Sequence, residues 1–588
     1  MTDDELLELL KAHEWNDLEF KEALWAVPKN AYETVSAFAN TSGGHLVFGV
    51  KKDGAAFEIL GVIDVDKVQN EFLTSLRNPQ KISVLLDVRE NLYNIEEKDI
   101  LLFYIPEASR TEKPVCLNGN IRDSYLRKGG ADVRCSNDEI QRFLRDSAPL
   151  AYDSVAVEDI PAGTFFDEET ITWYREIFQR HNPVHRSSAS HLNFLLNWNF
   201  VVEQQEILKP TRSGVLLFGK ERYVRLILTR PVLDYQRIDT RFELWSSDKR
   251  WHDRMVFEEN ILQTWRGLVA KYMRFAEHPF SIDPATLRRN DDPPDYVSFR
   301  ETAINLLMHQ DYGDYGRKPV IKFFTDRTIF WNPGDAFVTE SELFDPTEKK
   351  VRNPMIVNAF RRIGLSDQAG TGIRLIAKNW QELGNIPPTI TNNKAEKTFE
   401  LILKKEQLLS EAQILFQASL GVHLSEEDAS VFAYICRKKR LSLTDIKAII
   451  GKTNQECQQT ADRLTTQMLI QEIGENHFTL TEHLQTRLRA TEKDSLKMPT
   501  PHPGKHVLTL TDAHYGILTL CDVPKTMQEL SEMSGFEKKN VKATLITPLL
   551  EAGILKMTIP DKPRSRNQKY TLTEHGLRLI ARRKNGEQ

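Results

Sequence analysis

Two glutamates and a lysine, Glu14, Glu19 and Lys21, lie close together near the N-terminus, and Asp53 follows them after the apolar run 45–50. Converging carboxylates are the ligands that Mg²⁺ and Mn²⁺ prefer, and a neighbouring lysine can stabilise negative charge that develops on a phosphate. The residue types and their spacing are therefore compatible with metal-dependent phosphodiester chemistry. The plainer interpretation is a set of solvated carboxylates in which Glu19 pairs with Lys21.

A second polar group, Glu301, Asn305 and His309, recurs at intervals of four residues, so a helix would present all three along one face. A carboxylate with an amide one turn later can position a water molecule and bind Mg²⁺ beside a triphosphate. A solvent-exposed helix surface is the alternative for such a pair taken alone.

Glycines follow this polar helix at two places. Gly334 comes directly after a predicted strand, and Gly370, Thr371 and Gly372 open a predicted helix. Glycine allows a backbone to approach a ligand closely, and the N-terminus of a helix favours anions. These positions are candidates for holding the phosphates and the base of a nucleotide.

The pattern of apolar residues predicts the elements that must position these groups. Residues 1–145 indicate an α/β domain, residues 146–208 a helical connector, and the following segment to about residue 405 a second domain with long helices. The individual predictions are a helix over 31–40, strands over 45–50, 99–105, 125–127, 214–218 and 320–324, and helical structure over 253–277.

The C-terminal part contains two similar segments, residues 425–487 and 507–585, separated by a proline-rich linker. Each has the order of elements expected of a winged helix-turn-helix, with Ser442 and Thr526 as candidate N-caps of the second helix. Basic side chains on the recognition helix and the hairpin of the second segment would contact phosphates and base edges, although winged helices also bind proteins. The predicted nucleic-acid-binding residues are Lys538, Lys539, Lys542, Arg564, Arg566 and Lys569.

Charge is distributed unevenly along the 588 residues, whose formal net charge is −5. Residues 496–588 contain 15 Lys and Arg against 9 Asp and Glu, a balance of +6 that leaves −11 for the rest of the chain. A basic end on an acidic body is typical of a protein that touches a polyanion there.

Composition excludes several classes of protein. With 40% hydrophobic and 27% charged residues the chain is not disordered, and no apolar run is long enough to span a membrane. The five cysteines form no CxxC pair, which argues against a zinc finger or a disulfide framework and favours a reducing, cytoplasmic location. The acidic N-terminal segment is not a secretory signal.

The stretch ExxxxEFK, followed by SAFANTSGGHLVFGV and later YLRKGGADVRCSNDEI, resembles the Schlafen/AlbA-like domain over roughly residues 10–140. In the nuclease branch of that family, two glutamates and an aspartate form a metal-dependent RNase site. The resemblance implies that Glu14, Glu19 and Asp53 are metal ligands and that Lys21 assists catalysis. Many bacterial members are described only as DNA-binding proteins, and Lys51 and Lys52 replace the acidic residues usual after the Gly-Val pair.

The motifs ExxxNLLMHQDY, NPGDAF, VRNPMIVNAF and AGTGIRLI occur in the order found in the GHKL-type ATPase domain of proteins often labelled RecG-like helicases. The resemblance implies that Glu301 is the general base and Asn305 the Mg²⁺ ligand. It also implies a phosphate loop at Gly370 and Gly372, and an adenine-side glycine at Gly334. NPGD replaces the usual DxGxG, and no GxxxxGK[ST] motif occurs, so helicase activity is not predicted.

We therefore expect a multidomain α/β and α+β protein: a Schlafen/AlbA-like domain over 1–145, a connector over 146–208, a GHKL-like ATP-binding α/β sandwich over 209–405 and winged helices over 425–487 and 507–585. The first functional hypothesis is an ATP-regulated, Mg²⁺- or Mn²⁺-dependent nuclease that acts on structured RNA or single-stranded nucleic acid. The second is an ATP-sensing DNA-binding regulator that cleaves nothing. Nucleic acid and ATP are the expected partners, without a membrane, and a homo-oligomer remains open.

Overall fold

The chain folds into two units, the first ending at Leu484 and the second beginning at Gln485. The computed structural model describes residues 17–53, 56–185, 190–246, 250–274, 281–282, 289–290, 294–345, 350–366, 370–409, 411–422, 424–473, 476–488, 512–534, 545–551, 554–558, 568–573 and 576–577.

The N-terminal domain is built on a four-stranded sheet. Strand β1 (Leu18–Lys21) runs parallel to β2 (Gly44–Phe48), β6 (Lys98–Ile105) lies antiparallel to β2, and β5 (Arg89–Ile95) forms the far edge. Alternate residues of β2 and β6 belong to two different apolar clusters, as expected when successive side chains point to opposite faces. The sheet is therefore buried on both faces, and β1 forms the edge opposite to β5.

Helix α1 (Ala31–Asn40) covers the residues predicted for it and packs on this sheet through side chains such as the fully buried Phe38. The buried amide of Asn40, at its C-terminal end, donates to the carbonyls of Val115 and Tyr125 at 2.9 and 3.0 Å and accepts from the Val115 N–H at 2.7 Å. A buried amide that satisfies three backbone groups fixes the position of the following strands relative to the helix.

The predicted strand over 45–50 is interrupted at Gly49, whose φ of +91° is available to glycine but rarely to other residues. The chain then forms a separate hairpin of β3 (Val50–Asp53) and β4 (Ala56–Ile59). The domain is completed by α2 (Val65–Leu76), β7 (Cys116–Leu117), β8 (Asn120–Lys128), β9 (Ala131–Arg134) and α3 (Asn137–Ser147).

The segment predicted as a connector contains helices and also a hairpin, and its apolar side chains share one core with the sheet domain that follows. Its elements are α4 (Glu168–His181), α5 (His191–Asn197), β10 (Val201–Gln204) and β11 (Ile207–Pro210).

The run Gly214–Phe218 is helical, so the predicted strand there is wrong. It belongs to α6 (Arg212–Phe218), whose N-cap residue Thr211 accepts a hydrogen bond from the N–H of Gly214 at 3.2 Å. Every residue over 213–218 is buried, and a short run that is apolar on all sides suits a buried helix as well as a buried strand. Helix α7 (Glu221–Ile227) follows it.

The second domain is built on a six-stranded sheet in which β12 and β16 are parallel and the other neighbours antiparallel. In spatial order the strands are β13 (Asp253–Phe257), β12 (Leu233–Arg237), β16 (Val320–Phe323), β17 (Arg327–Pro333), β19 (Thr398–Lys404) and β18 (Thr389–Asn393).

Helices and sheet share one core in this domain. The helical prediction over 253–277 is wrong at its start, because 253–257 pairs with β12 as an edge strand and the helix begins at residue 261. The further elements are α8 (Ile261–Met273), the strand pair β14 (Ser281–Ile282) and β15 (Arg289–Asn290), α9 (Pro294–His309), α10 (Glu340–Leu343), α11 (Pro354–Arg362) and α12 (Gly372–Glu382).

Helix α11 is capped by a residue that lies about 200 positions earlier in the chain. The buried carboxylate of Asp153 accepts hydrogen bonds from the N–H groups of Met355 and Ile356 at 2.8 and 3.0 Å. These groups have no partner within the helix, and Asp153 thereby satisfies two of them.

Replacing Asp153 by alanine should lower the free energy of unfolding of the full chain by about 1–2 kcal/mol, because two N–H groups lose their acceptor. Urea denaturation followed by circular dichroism measures this change. Asp159→Ala, which alters an exposed carboxylate in the same segment, is the control. Equal stability of the two variants would contradict a capping role for Asp153.

A small domain of helices and a three-stranded antiparallel sheet completes the first unit. As predicted, Ser442 caps its second helix, accepting a hydrogen bond from the N–H of Asp445 at 3.2 Å. The elements, preceded by α13 (Glu411–Ala418), are α14 (Glu426–Lys438), β20 (Arg440–Ser442), α15 (Leu443–Ile450), α16 (Asn454–Thr466), β21 (Ile470–Glu472) and β22 (His477–Leu480).

The second unit has a similar order of described elements, with a three-stranded sheet in the order β23, β25, β24. Thr526 caps its second helix, since its hydroxyl accepts from the N–H of Glu529 at 3.3 Å. The elements are α17 (Asp512–Leu520), β23 (Lys525–Thr526), α18 (Met527–Ser534), α19 (Thr547–Glu551), β24 (Leu555–Met557) and β25 (Lys569–Leu572). The assignment of both segments as winged helices stays a prediction.

Candidate nucleotide site and N-terminal charge cluster

Helix α9 forms part of the wall of a cavity of about 900 Å³ in the second domain. The three residues that the sequence predicts on one face of this helix, Glu301, Asn305 and His309, all lie on that wall. Apolar side chains of the sheet, including Phe330 and Phe399, complete it. The cavity therefore combines an apolar lining with a few polar groups, as small-molecule sites usually do.

The N-terminus of helix α12 meets α9 at one end of this cavity. A Cβ atom at Gly372 would lie 2.6 Å from Oε1 of Glu301 and 3.2 Å from Nδ2 of Asn305, so only glycine allows this approach without a shift of those side chains. Gly370, with φ +68°, also lines the cavity, and Thr371 is the N-cap residue of the helix. The end of the cavity next to Glu301 thus receives the positive end of an eleven-residue helix.

Gly334 reaches the cavity from the turn after β17, and its φ is +100°. A Cβ atom at this position would lie 2.9 Å from the backbone nitrogen of Asp311 and 3.1 Å from Nε of Arg352. Both the backbone conformation and the space therefore require glycine. Four predicted segments, around residues 301–309, 334, 352 and 370–372, converge on one cavity.

The wall also contains a buried charge cluster to which the sequence analysis assigned no role. Arg352 pairs with Asp146 and, at 3.0 Å, with Asp335, and Lys397 lies 3.4 Å from Asp335. Burial alone would raise the pKa of Asp335, but Lys397 and Arg352 more than offset that effect and lower it. Arg352 and Asp335 could have been found from the sequence, because they lie inside the motifs VRNPMIVNAF and NPGDAF.

Burial, together with the charge of Arg352, lowers the pKa of His309 to about 4. The imidazole is therefore neutral near pH 7. It can donate or accept a hydrogen bond in the cavity, but it does not bring a positive charge to a phosphate there.

Because the pKa of His309 is lowered in the folded chain, the free energy of unfolding should decrease as the pH falls. Between its unfolded pKa of 6.5 and its folded pKa of about 4, the unfolded chain takes up a proton that the native chain excludes. The difference in unfolding free energy between wild type and His309→Asn, measured by urea denaturation, should therefore shrink as the pH falls from 7.5 to 4.5. A difference that does not depend on pH would contradict the lowered pKa.

In the N-terminal domain, Glu19 lies on β1 with both carboxylate oxygens bound by cations. Oε1 pairs with Lys21, and Oε2 accepts from Nη2 of Arg127 at 2.8 Å. Arg127 is 1% exposed and also binds Asp132 at 2.9 Å and the carbonyl of Leu18 at 2.7 Å. The plainer interpretation of the sequence, a Glu19–Lys21 ion pair, is present in the structure and is extended by a buried arginine.

This arrangement bears on the predicted metal ligands. Glu14 lies outside the described residues, and Asp53 ends β3, where it pairs with Ala56 in the hairpin. Among the described residues, no group of three or more His, Cys, Asp and Glu side chains could hold a metal ion. Glu19 is engaged by two cations in this structure, and the assignment of Glu14, Glu19 and Asp53 as metal ligands stays a prediction.

Of the predicted nucleic-acid-binding residues, Lys569 lies in β25 with an exposed side chain. The remaining ones lie outside the described residues: Lys538, Lys539, Lys542, Arg564 and Arg566.

All five cysteines of the chain are free and buried. Within the described part of the chain, no helix is long and apolar enough to cross a membrane.

Four family models match parts of the chain. The Schlafen, AlbA_2 model covers residues 14–136, and the model of the C-terminal region of recG-type ATP-dependent DNA helicases covers 316–403. A domain of unknown function, DUF8451, matches 141–234, and the C-terminal domain of Fic-like proteins (filamentation induced by cAMP) matches 518–573. Gly334 and the loop at 370–372 fall within the recG-type match, whereas Glu301 and Asn305 precede it.

Two solved structures are similar to the chain. The DIP2311 protein from Corynebacterium diphtheriae is 16% identical with a TM-score of 0.36, and the match covers 96% of this chain and 98% of that one. The N-terminal domain of an ATP-dependent DNA helicase RecG-related protein from Nitrosomonas europaea is 33% identical with a TM-score of 0.18, and the match covers 23% of this chain and 92% of that one. Among curated proteins, none matches the chain.

The family matches show that the chain is a multidomain α/β protein that joins a Schlafen/AlbA_2 domain to a recG-type C-terminal ATPase-like domain.

Proposed function

We propose that this chain is an ATP-dependent, nucleic-acid-associated protein that binds Mg·ATP in the cavity beside helix α9. The observation that carries the proposal is the convergence of Glu301, Asn305, Gly334 and Gly372 on one cavity from segments far apart in the sequence. The match to the recG-type ATPase-like domain supports the same assignment.

The chemistry of the cavity suits a nucleoside triphosphate. Phosphates would lie at the glycine-flanked N-terminus of α12, where backbone N–H groups and the helix dipole favour anions. Asn305 would hold the Mg²⁺ that accompanies ATP, and Glu301 would orient a water molecule if ATP is hydrolysed. Both side chains border the cavity within reach of that helix end.

The proposed dependence on ATP is supported by the residues that line the cavity, because they come from two domains. Three residues that belong to or directly follow the N-terminal domain line the same cavity as the residues of α9: Arg110, Ala148 and Ala151. A ligand in the cavity therefore contacts groups from both domains, and differential contact is the requirement for coupling two binding events.

Calorimetric titration of the full chain with Mg·ATP tests the nucleotide site. We expect one site per chain and weaker binding of ATP when Mg²⁺ is removed, with phosphate release followed in parallel to detect hydrolysis. Absence of binding at millimolar Mg·ATP would exclude the proposed site.

For the nucleic acid, the contacts of Glu19 favour a binding role over cleavage. A carboxylate held by Lys21 and a buried arginine is a structural group, and this geometry supports the non-cleaving regulator among the two hypotheses. The nuclease hypothesis, with Glu14, Glu19, Lys21 and Asp53 as its residues, remains the alternative.

Incubating the purified chain with tRNA, messenger RNA, and single- and double-stranded DNA separates the two hypotheses. Each reaction is run with and without Mn²⁺, Mg²⁺ and ATP. Binding without cleavage is the expected result. Cleavage that Glu19→Gln abolishes, in a variant that remains folded, would restore the nuclease hypothesis.

A further inference from the structure

The small domain that completes the first unit, residues 425–484, packs against the second domain through helix α15. Ala448 of this helix belongs to one apolar cluster with Phe344, which directly follows α10, and Ala377 of α12. All three side chains are buried. The small domain is therefore held on the second domain by an apolar contact that excludes water.

Two polar contacts flank this apolar cluster. Lys447, whose side chain is 6% exposed, pairs with Asp345 and donates to Oδ1 of Asn454, the first residue of α16, at 2.8 Å. Nη2 of Arg374 donates to the carbonyl of Gly451, the C-cap residue of α15, at 2.7 Å. A buried lysine depends on its carboxylate partner, because an unpaired charge is costly to bury. The two contacts thereby fix the orientation of α15 on the second domain.

Both segments of the second domain that hold α15 also border the nucleotide cavity. In the first segment, residues 343–345, Leu343 lines the cavity, whereas the next two residues, Phe344 and Asp345, contact the small domain. A ligand that contacts Leu343 is thus separated from the small domain by adjacent residues of the same segment.

The second segment, residues 372–374, is the start of helix α12. Gly372 and Ile373 line the cavity, and Arg374 binds the small domain. Ile373 also packs against the apolar cluster that contains Ala448, so its side chain borders both the cavity and the contact with α15. A ligand that orders this helix end therefore acts on residues that the small domain also touches.

The surface of the small domain favours a role within the chain over the binding of phosphates. Helix α16, which follows α15 after residues 451–453, contains one basic residue, Arg463, against Glu456 and Asp462. Arg463 already pairs with Asp428 of the same domain at 2.7 Å. Because binding to a nucleic-acid backbone depends on Lys and Arg side chains, this helix is poorly suited to it.

We propose that the small domain senses the nucleotide, and that Mg·ATP in the cavity strengthens the docking of α15 on residues 343–345 and 372–374. The inference rests on the proposed nucleotide site. In the docked arrangement the cavity is already assembled, with Gly372 against the side chains of Glu301 and Asn305. Docking therefore lowers the cost of ordering the cavity wall for the ligand, and by reciprocity the ligand strengthens docking by the same factor.

Calorimetric titration of the full chain with Mg·ATP tests this coupling. Lys447→Met removes the ion pair with Asp345 from the side of the small domain and should weaken Mg·ATP binding by about fivefold or more. Lys438→Met is the matched control, because it removes an ion pair inside the small domain, the one with Asp445. This control should bind Mg·ATP like wild type.

A substitution on the other side of the contact identifies the cause. Asp345→Asn removes the same ion pair from the second domain and should weaken Mg·ATP binding to a similar extent. The double variant should bind no more weakly than either single variant, because only one interaction is lost. Asp345→Asn also carries the test by itself if Lys447→Met does not fold.

Hydrogen exchange followed by mass spectrometry measures the docking itself. Addition of Mg·ATP to the wild-type chain should slow exchange in peptides that cover α15 and residues 451–453, since docking protects them from local opening. In Asp345→Asn this slowing should be smaller at the same fractional occupancy of the nucleotide site.

Several outcomes would overturn the inference. Wild-type affinity for Mg·ATP in both docking variants, or exchange of α15 that Mg·ATP does not slow, would remove the small domain from the response and leave the nucleotide site intact. Tighter binding in the docking variants would reverse the sign of the coupling. Equal weakening by Lys438→Met would assign the effect to general stability of the domain. Failure of the wild-type chain to bind Mg·ATP would overturn the proposed function, and this inference with it.

Discussion

Replacing Arg127 by methionine is expected to lower the free energy of unfolding of the full chain by about 3–5 kcal/mol. The fully buried guanidinium binds Glu19 at 2.8 Å and Asp132 at 2.9 Å, and methionine would leave both carboxylates without it. Urea denaturation gives the change, read from the transition of the first unit. Arg122→Met, on the same strand but exposed, should change stability by less than about 0.5 kcal/mol.

A second substitution identifies the cause of this loss. In the Arg127→Met background, Asp132→Asn should recover part of the stability, because Asp132 loses the arginine that pairs with it, whereas Glu19 keeps Lys21. An Arg127→Met variant as stable as Arg122→Met would contradict the buried cluster. The same cluster means that any loss of nuclease activity in a Glu19 variant must be accompanied by a measurement of its stability.

The second large effect is expected at Asn305. At a concentration one hundred times its Kd, Mg·ATP should stabilise the wild-type chain by about 2.7 kcal/mol, which appears as a rise in Tm. Asn305→Ala should abolish this rise, because the side-chain amide of Asn305 is the proposed ligand of the Mg²⁺ that accompanies ATP. Lys378→Ala is the control, because Lys378 is an exposed residue of helix α12, whose N-terminus lies next to Asn305.

Differential scanning fluorimetry with and without nucleotide measures these shifts. A full shift in Asn305→Ala would remove Asn305 from the nucleotide site. The absence of any shift in the wild-type chain at millimolar Mg·ATP would instead show that the cavity does not bind the nucleotide.

Local patterns predict a large part of this fold and of the candidate nucleotide site. Helix 31–40 has the predicted bounds, because Glu33, Thr34, Ser36 and Asn40 interrupt its apolar residues and leave a helical period that can be read from the sequence. The polar face of α9 and the glycines at 334 and 372 come together as their motifs predict, since each motif depends on local geometry. Capping by Ser442 and Thr526 is likewise a local property.

Long-range pairs could not be predicted in the same way. Arg127 meets Glu19 across 108 positions, and Arg352 meets Asp146 across 206, so no periodicity links the partners. The helix at 212–218 was expected as a strand, because burial on all sides removes the polar face from which a period is read. These misses are consequences of tertiary packing.

The proposed function requires that the association with nucleic acid depends on ATP, and a linked binding measurement tests this dependence. The affinity of the full chain for fluorescently labelled tRNA and duplex DNA is measured by anisotropy, with and without saturating Mg·ATP. We predict that Mg·ATP changes the Kd for at least one of these nucleic acids by about fivefold or more, and that Asn305→Ala removes the change. The same Kd with and without Mg·ATP in a wild-type chain that binds the nucleotide, or no binding of nucleic acid at all, would contradict the claim.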